Sequence, residues 1–368
     1  MYYLFYASFI VLFSLSIPVQ AVLPNKVYGV NLGSRLVLEA WMVPQGWLDI
    51  GGQQCNDCSQ CLTYLNSSAF ARAYPDTVDE VFNKHWSSWF NQTDVNALVE
   101  AGINTVRIPL GYWIVEALVN RTTEFYPRGG ISQLKRGLKE LKNPGIVSIL
   151  DHHALPGVQT PGQMFTGRCT SDVEFYTDYN YHRALVWTAV MTTLSHLDPD
   201  FSNVIAIEAV NEPIMNATQT PGYGDSMENT TSSSSNPKVQ SALKDAMPII
   251  TDIGMELGWS DMKRMFASLY NREPLYTSFM DINWQNSNPA NPSAAQSGPQ
   301  VYDNHLYYSF GMGVLVLFGK LGTYPAARKA FLKVVTFIHN TLHFSKRGFE
   351  SFGLLPLSIQ LFLELQNS

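Results

Sequence analysis

A chain of 368 residues is long enough for one large domain or two ordinary ones, and with 46% hydrophobic residues it can bury a sizeable core. Charged residues make up only 15% and the net charge is −6. That balance excludes nucleic acid, whose binding rests on clustered Lys and Arg meeting phosphates, and leaves neutral ligands such as sugars open.

The first 21 residues contain an apolar run over 9–15 and end on Val19 and Ala21 at the −3 and −1 places of a cleavage site. This pattern predicts a signal peptide over 1–21 and a secreted product. The run is shorter than the ~20 residues that span a bilayer, so no stable membrane insertion is expected. N-x-S/T triplets at Asn66, Asn91, Asn120, Asn216 and Asn229 accord with a glycoprotein. Cys55, Cys58, Cys61 and Cys169 are expected to form disulfides rather than a zinc site, with three connectivities open. Cys169 follows a predicted strand and is placed to staple its loop to the early one.

Strands are predicted over 27–31, 104–110, 146–151, 204–210, 262–270 and 301–308, and helices over 92–101, 131–142, 179–197 and 238–257. Several strands are nearly continuous apolar runs, as expected when both faces of a sheet are covered. Their alternation with helices predicts an α/β fold of βαβ units around a parallel sheet. Ala101-Gly102-Ile103-Asn104 and Pro144-Gly145-Ile146-Val147 each place a Gly where a helix stops before an apolar strand. Residues 221–237, rich in Ser, Thr, Gly and Asn, are predicted to be a surface loop bordering a cleft.

The character changes near residue 310. Residues 311–368 hold no Asp, two Glu (Glu350 and Glu364) and six Lys or Arg, against 28 acids and 18 bases before them. The chain therefore divides into a signal peptide over 1–21, a main α/β domain over 22–310 and an atypical tail over 311–368. The tail is read as a non-native continuation, such as a retained intron would produce.

Reactive residues of a β/α barrel gather where strands end. Arg107, Asp151-His152-His153, Asn211-Glu212-Pro213 and Tyr302-Asp303-Asn304-His305-Leu306-Tyr307 fall at four successive predicted strand ends. Alone, each has an ordinary structural explanation: a salt bridge, a satisfied His, a helix cap. Together they predict a site. Glu212 is the candidate acid/base, since a glycosidase must protonate its leaving oxygen. Asn211 beside it suits a sugar 2-hydroxyl. Glu208 is expected to be a structural acid.

These segments, with Asn31-Leu32-Gly33-Ser34 and Leu36-Val37-Leu38-Glu39, Arg107-Ile108-Pro109-Leu110-Gly111-Tyr112-Trp113, Asp151-His152-His153-Ala154-Leu155-Pro156-Gly157 and Asn211-Glu212-Pro213, resemble fungal members of glycoside hydrolase family 5. The likeness covers about residues 27–310 and is to the exo-β-1,3-glucanase branch. It implies a (β/α)8 TIM barrel, here with about six βα units, that hydrolyses β-glucan with retention. Glu212 would be its acid/base. Glu39, Arg107, His153, Asn211, His305 and Tyr307 would bind the cleaved sugar. No metal or organic cofactor is implied, and the expected partner of the monomer is a β-glucan chain.

Two departures from the family pattern stand out. Arg35 occupies a place the family usually gives to Trp. The family's nucleophile, a Glu in a Gly-Glu-Trp/Phe-Ser context, has no counterpart after Tyr307, where only Glu350 and Glu364 remain. The alternative function is a carbohydrate-binding protein that kept the cleft and lost the nucleophile. A membrane-associated protein using the apolar start and the basic tail is a further alternative.

Overall fold

The computed structural model describes residues 21–53, 58, 67–214, 216, 218–231, 235–269, 274–280 and 300–303. The predicted signal peptide up to residue 20, His305, Tyr307, Glu350, Glu364 and the 311–368 tail lie outside the described residues.

Six strands form one sheet in the order of the chain: β1 (Gly29–Asn31), β2 (Thr105–Gly111), β3 (Val147–Ala154), β4 (Val204–Glu208), β5 (Tyr276–Met280) and β6 (Gln300–Asp303). Every neighbouring pair is parallel. A doubly wound sheet would reverse its strand order at a switch point. This one never does, which is the winding of a TIM barrel.

The helices are α1 (Pro44–Asp49), α2 (Ser67–Ala73), α3 (Val78–Trp89), α4 (Gln92–Glu100), α5 (Gly130–Lys142), α6 (Asp178–Leu197), α7 (Tyr223–Thr231), α8 (Pro237–Glu256) and α9 (Met262–Ser268). Helix α4 begins in a capping box, in which Asn91 accepts from Thr93 N–H and Asp94 accepts from Asn91 N–H. It ends at Gly102, whose φ of +76° lets Ile103 N–H reach back to Leu98 O at 3.0 Å. Helix α5 ends the same way at Gly145, with φ of +84° and Ile146 N–H bonded to Leu141 O at 3.0 Å. Both glycines do what the sequence requires of them: they take a left-handed turn that a side chain would strain.

Side-chain alternation then sorts each strand. Val106, Ile108 and Leu110 of β2 join the core shared with Leu134, Leu138 and Leu141 of α5. Arg107, between them, faces the opposite side of the sheet. In β3, Leu150 and His152 face the helices, where His152 stacks on Trp187 of α6 with ring centroids 3.9 Å apart. Asp151 and His153 face the other way. A register shift places Ala206 opposite Ile149, after Val204 opposite Ser148, and brings Glu208 opposite Asp151.

Two expectations are corrected. Residues 262–270 were expected to be a strand, but 262–268 form α9, because Asp261 caps its first turn by accepting from Arg264 N–H. The fifth strand is instead β5, which the sequence reading missed. The 221–237 segment is not all loop, since α7 occupies its middle. The expected staple is present: Cys58 pairs with Cys169.

Candidate active site

Arg107 is the hub of the strand ends. Its Nε donates to Glu208 Oε2 at 2.7 Å, Nη1 lies 2.8 Å from Asp151 Oδ2 and 3.1 Å from Asn31 Oδ1, and Nη2 donates to Asn211 Oδ1 at 2.8 Å. Three strands and the turn after β4 are thus fastened to one guanidinium. Its side chain is fully buried, as are those of Asp151 and Glu208. Arg107 was expected among the sugar contacts. All three of its nitrogens are engaged, with Glu208, Asp151, Asn31 and Asn211.

His153 continues the chain of charges toward the surface. Its Nδ1 bonds Asp151 Oδ2 at 2.6 Å, and its Nε2 lies 3.6 Å from Glu39 Oε1. Burial pushes this imidazole toward neutrality, but the carboxylates of Asp151 and Glu39 outweigh it and raise its pKa to about 9. His153 is therefore a cation at neutral pH, between two anions. Its neighbour His152, enclosed against Trp187 with no carboxylate beside it, is pushed well below the usual imidazole range.

Glu39 is held by its own loop. Ser34, at φ of +57°, accepts from Glu39 N–H at 2.9 Å through its hydroxyl and donates to Glu39 O at 3.1 Å. Helix α3 fixes that loop through His85 Nε2 near Ser34 O and Trp89 Nε1 donating to Gly33 O. The second carboxylate oxygen of Glu39 accepts from Trp41 Nε1 at 3.0 Å. Trp41 itself is 38% exposed and lines the outer edge of the group.

Asn211 and Glu212 follow β4. Asn211 is buried, with its N–H donating to His152 O at 3.1 Å. Its side-chain oxygen is taken by Arg107, while its Nδ2 and the Oδ1 of Asp151 have no hydrogen-bond partner among the described residues. Buried polar atoms without partners are uncommon and call for an explanation. Glu212 is half-buried and its backbone sits at φ of +41°, a left-handed conformation that non-glycine residues rarely adopt.

The structure therefore brings Glu39, Arg107, His153, Asn211 and Glu212 to one end of the sheet. Asp151, which stood at one of the predicted strand ends, joins them, and Asn31 and Trp41, to which the sequence reading gave no role, are added. Asn31 and Asp151 stood inside quoted motifs, so the signal was present; Trp41 had none beyond its closeness to Glu39. Among the described residues no group of three His, Cys, Asp or Glu is placed to hold a metal ion. Cys58, bonded to Cys169, offers no thiolate ligand.

Residues 75–338 match the cellulase family, glycosyl hydrolase family 5. The chain belongs to that family. A glucan endo-1,6-beta-glucosidase B of Emericella nidulans is 40% identical over 195 residues, covering 53% of this chain and 46% of the relative. A glucan 1,3-beta-glucosidase of Blumeria graminis is 32% identical over 192 residues, covering 51% of this chain and 41% of the relative. The family-5 chain thus spans about half the length of the curated relatives it matches. In fold it is similar to the crystal structure of AoRut, with a TM-score of 0.50 and 18% identity over 78% of this chain and 70% of that one.

Proposed function

We propose that this family-5 chain cleaves a β-glucan outside the cell by a retaining mechanism, with Glu212 as acid/base. The observation that carries the reading is the pairing at the end of β4. An Asn whose amide N–H groups have no partner among the described residues stands beside a half-buried Glu in a strained backbone turn. In the reaction Glu212 would protonate the leaving glycosidic oxygen and later take a proton from the incoming water. Asn211 Nδ2 would donate to the 2-hydroxyl of the sugar being cleaved. His153 and Glu39 would hold further hydroxyls, the imidazolium as donor and the carboxylate as acceptor.

Retention needs a second carboxylate ~5–5.5 Å from the first. No Gly-Glu-Trp-Ser or Gly-Glu-Phe-Ser stands between Tyr307 and residue 368, and Glu350 remains the weak candidate. The second reading is a sugar-binding protein on the same fold, which the experiment below separates from the enzyme. For linkage, the motifs resemble the exo-β-1,3 branch, while a relative of higher identity bears the name of an endo-1,6 enzyme. β-1,6-glucan is the first substrate to try and laminarin the second.

The decisive experiment expresses the chain and its Glu212→Gln variant and follows reducing sugar from both glucans. Hydrolysis by the parent that drops by several powers of ten in the variant supports the enzyme. Binding without turnover in either supports the sugar-binding reading. Neither binding nor turnover ends both. Recovery from culture medium of a chain beginning at Val22 would support secretion. No described helix is long and apolar enough to cross a membrane.

A further inference from the structure

The sheet ladder between β3 and β4 stops at the Asp151–Glu208 pair, yet the groups that matter lie three or four residues farther along. Beyond that pair one backbone bond, Asn211 N–H to His152 O at 3.1 Å, joins the two segments. The loop after β3 supplies the other ties. Gln159 is completely buried, and its Nε2 donates to His153 O at 2.7 Å and to Asn211 O at 3.0 Å, while its Oε1 accepts from Leu155 N–H at 3.2 Å. Both amide hydrogens and the amide oxygen are used, so one side chain ties the ends of both strands together. The hydroxyl of the next residue, Thr160, donates to Glu212 O. Tyr176, farther along the same loop, donates its hydroxyl to Gln159 O at 2.9 Å and accepts from Ile214 N–H at 2.7 Å.

We propose that Gln159, Thr160 and Tyr176 form a clamp of positioning residues that fixes Asn211 and Glu212 against His153. The proposal rests on the β-glucan reading of this site. Each contact with the 211–214 segment is to a backbone group, at Asn211, Glu212 and Ile214, so the clamp sets the path of the chain rather than touching sugar. That path includes Glu212 at φ of +41°, a conformation that persists only where surroundings over-determine it. The clamping loop is itself tied down. Cys169 within it is bonded to Cys58, and Gly162 N–H bonds Thr170 O at 2.8 Å. A side chain aimed at a reacting bond tolerates displacement of about half an ångström, and a misplacement of ~1 Å can cost on the order of a hundredfold in rate.

The test compares Thr160→Val with Thr160→Ser in the full chain. Valine keeps the shape and removes the donor to Glu212 O, whereas serine keeps the donor. Two readouts are taken: the 13C resonance of the Glu212 carboxyl, assigned by its loss in E212Q, and the affinity for β-1,6- and β-1,3-linked gluco-oligosaccharides. The expected result is a moved resonance and roughly tenfold weaker binding in T160V, with T160S at parent values. Where hydrolysis is measurable, kcat/KM falls in T160V and is kept in T160S. Gln159→Leu should move both readouts farther, and if it fails to fold, Tyr176→Phe replaces it. The clamp is overturned if T160V and Y176F both match the parent, or if T160S departs as far as T160V. If the parent binds neither oligosaccharide, the glucan reading falls, while the Glu212 resonance still decides the clamp.

Discussion

The two ends of the sheet use the same kinds of residue to opposite purpose. At the lower end Asp198 is fully buried and saturated, accepting from Lys135 Nζ at 2.8 Å, Trp259 Nε1 at 2.8 Å and Asp200 N–H at 2.9 Å. Asn104 there donates to Lys26 O and accepts from Tyr28 N–H and the Thr105 hydroxyl. At the upper end Asp151 and Asn211 are equally buried, but each keeps an atom without a partner among the described residues. Closed valences stabilise the barrel. Open atoms are not confined to the upper end, since Asn203 Oδ1 also lacks a partner among the described residues, but on the proposed reading those of Asp151 and Asn211 are held for a sugar.

The sharpest challenge to this contrast is Arg107→Leu. It strands the carboxylates of Asp151 and Glu208 in the interior, and loss of one partner of a buried ion pair costs about 3–5 kcal/mol. Urea unfolding should show that loss, together with loss of sugar binding because Asn211 is released. Replacing Cys169 by Ala opens a bridge between residues 111 apart in sequence and should cost about 2–5 kcal/mol, read in the same way. At the lower end Asp198→Ala should cost about 1–3 kcal/mol through its stranded donors and leave sugar affinity unchanged. At the upper end Asn211→Ala should do the reverse, with a smaller stability change and a clear loss of affinity. If those two variants behave alike, the division between the ends is wrong.

The smallest effect concerns pH. His153 has its pKa raised on folding to about 9, from an unfolded value of about 6.5. A raised pKa stabilises the protonated, folded form, so this contribution is complete below about pH 6.5 and fades as pH climbs toward 9. Denaturant midpoints between pH 6 and 9.5 should fall in the parent and fall less in His153→Gln. An equal slope in both would show that the Glu39–His153–Asp151 chain carries no charge of this kind.

Much of this was legible in the residues. The four predicted helices begin and end within a residue or so of their expected limits, because Asn and Thr caps and terminal glycines are local signals, whereas α3 was not predicted. The first four strands were legible for the same reason. The stretch 262–270 misled, since Met262, Met265, Phe266 and Leu269 are apolar enough for a strand, and only the Asp261 cap betrays a helix. With that stretch taken as the fifth strand, Tyr276–Met280 was overlooked.

What the sequence alone determined is where strands stop and which reactive residues stand at those stops, for these follow from short-range patterns. It could not say that Arg107 ties Asn31, Asp151, Glu208 and Asn211 together, that Cys58 is the partner of Cys169, or that Gln159 bridges two strand ends. Those outcomes depend on contacts between residues as many as 111 positions apart, such as Gln159 with Asn211, Arg107 with Asn211 and Cys58 with Cys169. No local pattern encodes such distances. Only the assembled sheet, with its fixed register and alternating faces, decides them.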